Sequence, residues 1–181
     1  MLGSRFDFIP DKIVQTHLDR AFDLVLELLA LSEAKNYSSE LRSSFRKTII
    51  IYTASIIEVL LLLILKSKKS EDDCSELKDT IARTLYKINE MERIALVEKK
   101  SQSVKFNKLN LDQVNKLCKE HKLVDLNLFS RVNDVRELRN RQHLGGLEEI
   151  EVTYTKKDLE FVFSVAKDVA DLSEEMLLAA D

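Results

Sequence analysis

Apolar residues recur at steps of three and four along most of this chain, a period that predicts helices rather than strands. Ile13, Leu18, Phe22, Val25, Leu28 and Leu29 mark one stripe; Asp11, after Pro10, is placed to open it, and the helix is expected to reach about Ala34. Asn36-Tyr-Ser-Ser39 reads as a turn whose serines can cap a second helix, from about Glu40 to Lys66. A third helix is predicted through Leu77, Ile81, Leu85, Ile88, Met91 and Leu96, fraying near Lys99-Lys100, with no period from Ser101 to Lys108. Asn110 is placed as the cap of a short helix carrying Leu111, Val114, Leu117 and Cys118, which His121-Lys122 closes.

The next helix is expected from about Asn127 to His143, with Leu128, Val132, Val135 and Leu138 on its apolar side and Gly145-Gly146 as its stop. Glu149 to Tyr154 alternates at period two, a short extended segment too isolated for a sheet. Thr155-Lys-Lys-Asp158 resembles a capping box with Asp in the usual Glu/Gln place. It opens a last helix through Leu159, Val162, Phe163, Ala166, Val169 and Leu172 to about Ala179. There is no internal repeat and no linker dividing the chain. The prediction is an all-α fold, a bundle of about four long antiparallel helices plus one or two short ones, as a single domain over residues 1–181.

Composition sharpens this picture. Three Gly and one Pro in 181 residues leave too few turn-makers for an all-β architecture. Two cysteines, Cys74 and Cys118, form no CxxC or Cys/His cluster, so neither a disulfide framework nor a structural zinc site is expected, and no metal or cofactor is called for. The first residues lack the apolar core of a signal peptide, which makes the cytoplasm the expected compartment. Thr48 to Leu65 is apolar enough to suggest a membrane span, but Glu58 lies near its middle. The expectation is therefore a central buried helix and no membrane. Glu58 itself has two readings. It belongs to a buried hydrogen-bonded strip with Tyr52 and Ser55, or it reaches an arginine on another helix.

A net charge of −3 argues against a general nucleic-acid coat protein, yet one stretch is locally basic. It is Arg131-Val-Asn133-Asp-Val-Arg136-Glu-Leu-Arg139-Asn140-Arg141-Gln-His143. A helix turns about 100° per residue, so Asn133, Arg136, Asn140 and His143 share one face, with Arg139 beside them. That face carries fixed positive charge, amide groups and a side chain that titrates near neutrality. A basic spot of this size fits one bound anion or a short strand, not a long duplex.

On these residues, and on the Tyr52-Thr-Ala-Ser-Ile-Ile-Glu58-Val-Leu-Leu helix before them, the chain resembles the HEPN superfamily. Those proteins are helical bundles with an Arg, a polar residue after it, and a His four to six residues further on. The passage from Gly145-Gly146 to Asp158 is similar to an uncharacterised bacterial branch. The spacing leaves the motif arginine open. Arg136 is separated from His143 by six residues and fits the pattern, whereas Arg139-Asn140 has the Arg-polar pair with only three residues intervening.

The resemblance implies a metal-independent endoribonuclease, in some cases a toxin or defence effector held by an antitoxin protein, and a homodimer whose two motifs face one cleft. Cleavage would use the RNA 2′-OH as nucleophile. His143 would serve as general acid or base, Arg136 or Arg139 would hold the phosphoryl oxygens, and Asn140 would orient imidazole or phosphate. Arg131, Asn133 and Arg141 would bind RNA around them. The competing readings are a non-catalytic helical module that binds a nucleotide or protein partner, and an ordinary solvated helix end. Arginine and histidine near a helix C-terminus are favoured by the macrodipole whether or not they do chemistry.

Overall fold

The structure, a computed structural model, describes residues 4–89, 91–141 and 153–179. Its elements are α1 (Lys12–Glu33), α2 (Ser39–Lys68), β1 (Glu76–Lys87), β2 (Arg93–Gln102), α3 (Leu111–Glu120), α4 (Leu126–Asn140) and α5 (Lys156–Leu178). They divide between two compact units: a helical one, Met1–Ser67 with Leu109–Asp181, and a smaller one, Lys68–Lys108. The protein is mostly helical with a small two-stranded sheet.

Each cap in the helical unit satisfies backbone N–H groups that the first turn leaves open. Asp11 accepts hydrogen bonds from the Ile13 and Val14 amides. Asn110 with Gln113, and Thr155 with Asp158, form reciprocal capping boxes, as their sequence positions predict. Asp125 caps α4 by accepting from Leu128 N at 2.6 Å, two residues ahead of the expected start. Between α3 and α4, Lys122 sits at φ 58. Its N–H donates to Lys119 O at 3.0 Å, and that of Leu123 to Cys118 O at 2.8 Å. This pair of bonds is a Schellman closure, here with lysine where glycine is usual. A left-handed lysine costs about 1 kcal/mol, and the reversal it permits lets α4 fold back against α3.

The buried set shows why α2 reads as membrane-like. Ile49, Ile50, Ala54, Ile57, Leu60, Leu61, Ile64 and Leu65 are fully buried, on several faces of the helix. Among the described residues α2 is the one helix long and apolar enough to cross a bilayer, and much of its surface is covered by protein instead. Its neighbours are identifiable from contacts. Cys118 Sγ on α3 lies 3.6 Å from Leu61 O, Arg139 on α4 reaches Glu58, and α1 and α5 share an apolar trough with it. The remaining core comes from Leu111, Val114, Val132, Val135, Leu159, Val162, Val165 and Val169, all at most 2 % exposed.

The smaller unit corrects the expectation of a third long helix, and with it the all-α prediction. Residues 76–102 form an antiparallel hairpin, paired from Glu76↔Gln102 to Lys87↔Arg93. Thr80, Ile81, Thr84, Tyr86, Ile94 and Val97 are β-branched or aromatic, types that suit a pleated surface better than a helix. The turn is built by Asn89, whose Oδ1 accepts from the Met91 and Glu92 amides at 2.8 Å each. Register shifts between Ile81 and Arg83 and between Thr84 and Tyr86 interrupt the pairing. Each places one extra residue of β1 against β2, so strict alternation along that strand is interrupted. Glu71 closes the base of the unit, accepting from Phe106 N and from Lys105 Nζ, both at 2.9 Å. The same contact holds the Lys105 ammonium above its ordinary pKa.

Candidate functional site

α4 carries the basic stretch, and its apolar stripe of Val132, Val135 and Leu138 fixes which way the arginines leave the helix. Arg131 departs toward α5, donating to the Asp168 carboxylate through Nη1 and to Ser164 Oγ through Nη2 at 2.9 Å. Arg136 departs toward α3, where its Nη1 lies 3.3 Å from Asp112 Oδ1. Arg139 departs toward α2 and donates to Glu58 Oε2 at 3.0 Å. Three arginines of one helix thus reach carboxylates on three different helices.

At about 100° per residue, Asn133, Arg136 and Asn140 lie within roughly 60° of one another around α4, with Arg139 roughly 60° beyond Arg136 and Arg131 roughly 140° from it. Asn133 is half-buried and accepts from Asn115 Nδ2 at 3.3 Å; the same amide donates to Phe129 O at 3.0 Å. Asn115 is itself fully buried. Asn140 and Arg141 are exposed, and the Arg141 amide ends the helix by donating to Glu137 O at 3.1 Å. His143 lies outside the described residues, as do the Gly145-Gly146 stop and most of the alternating 149–154 segment. Of that segment Thr153 and Tyr154 are described, and the Tyr154 amide donates to Ser43 Oγ at 2.9 Å.

Glu58 takes the second of its two sequence readings. It pairs with an arginine of the basic helix, while Ser55 Oγ donates to Ile51 O at 3.0 Å and takes no part. The carboxylate partners Asp112 and Asp168 were not singled out by sequence reasoning. Asp112 carries one weak signal, a first-turn position on a short capped helix, but cross-helix pairing depends on how α3 folds back, which a linear pattern does not contain.

The chemical capacity of this face follows from the geometry. The side chains of Arg136 and Arg139 are 32 % and 34 % exposed, so solvent reaches both. Each contacts its carboxylate through a single Nη1, and Arg136 Nε is buried without a protein acceptor. Each guanidinium keeps N–H groups able to meet phosphoryl oxygens, which it does best as a bidentate fork. The helix dipole works against such binding, because α4 presents its negative end here. Attraction for an anion must come from the side chains alone, and Asp112 and Glu58 compete for them. No protein-family model, curated protein or solved structure matches the chain.

Proposed function

We propose that this is a cytoplasmic HEPN-like helical protein whose α4 face is directed at RNA, acting as a metal-independent endoribonuclease. Arg136 is the favoured motif arginine, with Arg139 and Asn140 beside it to contact the phosphate. His143, two residues past Arg141, supplies the general acid or base. The observation that carries the reading is the half-exposed Arg136–Arg139 pair on adjoining sides of one helix, each held by one carboxylate through one nitrogen. A phosphodiester entering between them would displace or share those carboxylates, and growing charge on the phosphoryl oxygens would favour the exchange. RNA is the substrate class because its 2′-OH supplies the nucleophile that DNA lacks. Arg141 and Asn133 extend the contact. A homodimer and a restraining antitoxin protein belong to the same proposal.

The test is incubation of the purified protein with total RNA in EDTA, alongside His143→Ala. Fragmentation by the wild type and none by the variant is expected. Full activity in His143→Ala removes the catalytic reading.

One observation favours a second reading, a non-catalytic helical module of the same kind that binds a nucleotide or partner protein. Arg131, Arg136 and Arg139 tie α4 to α5, α3 and α2, a use of arginine that needs no substrate. Under that reading RNA stays intact, and Arg136→Ala lowers thermal stability without changing any RNA-directed property.

A further inference from the structure

The smaller unit, Lys68–Lys108, carries a second basic stretch that the α4 reading does not use. β1 and β2 together hold six Lys or Arg against three carboxylates, Glu76, Asp79 and Glu98, in a chain whose net charge is −3. The register sets cations opposite each other near both ends of the ladder, Lys78 across from Lys100 and Lys87 across from Arg93. Like charges placed this way destabilise a hairpin, and a bound polyanion would reverse that cost. Lys100 engages Glu98 at 2.5 Å. Among the described residues Arg83, Lys87 and Lys99 are exposed and form no ion pair, so their charge is uncompensated.

Cross-strand partners share a face of the sheet, which puts Tyr86 with Ile94 and Arg83 with Leu96. Ile94 and Leu96 are two residues apart on the strand without extra residues, so both pairs lie on one face, roughly 7 Å from each other. Tyr86 is 65 % exposed, and Ile94 and Leu96 are each 53 % exposed. The face is an open platform: an aromatic ring, aliphatic side chains beside it, and an unpaired guanidinium one step along. A further protein strand would use the backbone edge of the ladder and leave this platform idle. Stacked bases use the ring itself, and phosphates meet the cations beside it.

We propose that the hairpin binds single-stranded RNA, with a base stacked on Tyr86 and an adjoining phosphate held by Arg83. Lys87 and Lys99 add attraction for the strand as a whole. The inference rests on the reading of the protein as RNA-directed, and not on the chemistry assigned to His143.

The experiment is fluorescence anisotropy of the whole protein with a labelled 2′-O-methyl single strand of about ten nucleotides, which has no free 2′-OH and stays uncut. Tyr86→Ala is expected to weaken binding about 10-fold, and Tyr86→Phe to keep it. Arg83→Ala is expected to weaken binding about 3-fold and to lower the slope of log affinity against log salt by about 0.7. Both side chains are exposed, so the variants are expected to melt with the wild type. Binding indifferent to Tyr86→Ala and Arg83→Ala overturns the proposal, and so does a wild type that cuts RNA without binding this strand; the α4 reading survives either result if RNA is still cleaved. Binding that weakens with Tyr86→Ala, in a protein that cuts no RNA, upholds the proposal and sinks the catalytic reading instead. A wild type that neither binds nor cuts overturns both.

Discussion

Removing Arg139 strands a carboxylate on the most apolar helix among the described residues. Glu58 lies next to the fully buried Ile57, and its pair with Arg139 is 3.0 Å long, with the two side chains 26 % and 34 % exposed. Surface pairs contribute less than about 1 kcal/mol, whereas breaking a buried pair by deleting one partner costs roughly 3–5 kcal/mol. This pair lies between those limits, and Arg139→Ala is expected to cost about 2 kcal/mol. For a chain of this length that lowers the melting temperature by roughly 4–8 °C. Replacing both partners, as Glu58→Leu with Arg139→Met, removes the stranded charge and is expected to return stability to within about 1 kcal/mol of the wild type. Urea denaturation of Arg139→Ala, Glu58→Ala and the double variant gives the coupling, expected at about 1–2 kcal/mol. Costs that simply add, with coupling below about 0.3 kcal/mol, would refute the claim that these groups meet. The same experiment bears on function. Arg139→Lys keeps the charge but loses the planar fork, so an activity loss there without loss of stability separates anion binding from clamping.

Other consequences are more local. Asp125→Ala deletes the acceptor for Leu128 N and is expected to cost about 1 kcal/mol in thermal unfolding; an unchanged melting temperature would contradict the cap. On the hairpin, Leu96 and Val97 are 53 % and 56 % exposed, so Leu96→Lys and Val97→Glu are expected to change stability by less than about 0.5 kcal/mol, against roughly 2–5 kcal/mol for the fully buried Ile57→Ala. A large cost at either hairpin position would show that those side chains are covered. Glu40, in the first turn of α2, is held below its ordinary pKa of 4.5 by a backbone hydrogen bond, helped by Ser39 and Ser38. A carboxyl depressed in the folded state adds stability above about pH 4.5 that is lost as pH falls through the lower folded value. The protection of amides near the start of α2, taken relative to their intrinsic exchange at each pH, is therefore expected to fall on acidification below that pH, and Glu40→Gln to flatten the response.

The helices were legible because their ends carry chemistry that acts locally. Asp11, Asn110 and Thr155 each satisfy an amide two or three residues away, so a short window contains both donor and acceptor. The burial of α2 was legible too, since Glu58 amid isoleucine and leucine argues for a partner inside a protein. The hairpin was not. Leu77, Ile81, Leu85 and Ile88 recur in the sequence at steps that imitate a helix, two register shifts break the alternation a strand would show, and only the β-branched and aromatic residue types pointed the other way. At the candidate site the arginines could be read, but their partners could not. Asp112, Glu58 and Asp168 come from three helices, and nothing near residue 136 in the chain indicates which carboxylate will face it.

The most direct test of the central claim is end-group analysis of an RNA oligonucleotide after incubation with the protein in EDTA, beside the same oligonucleotide with a single 2′-deoxy substitution at the cleaved position. The account predicts 2′,3′-cyclic phosphate ends from the first, no cutting at the substituted position in the second, and no cyclic phosphate ends from the first with His143→Ala or Arg136→Ala variants that remain folded. Cleavage of the deoxy-substituted strand at the same bond, or cyclic phosphate ends still formed by folded His143→Ala, would contradict it.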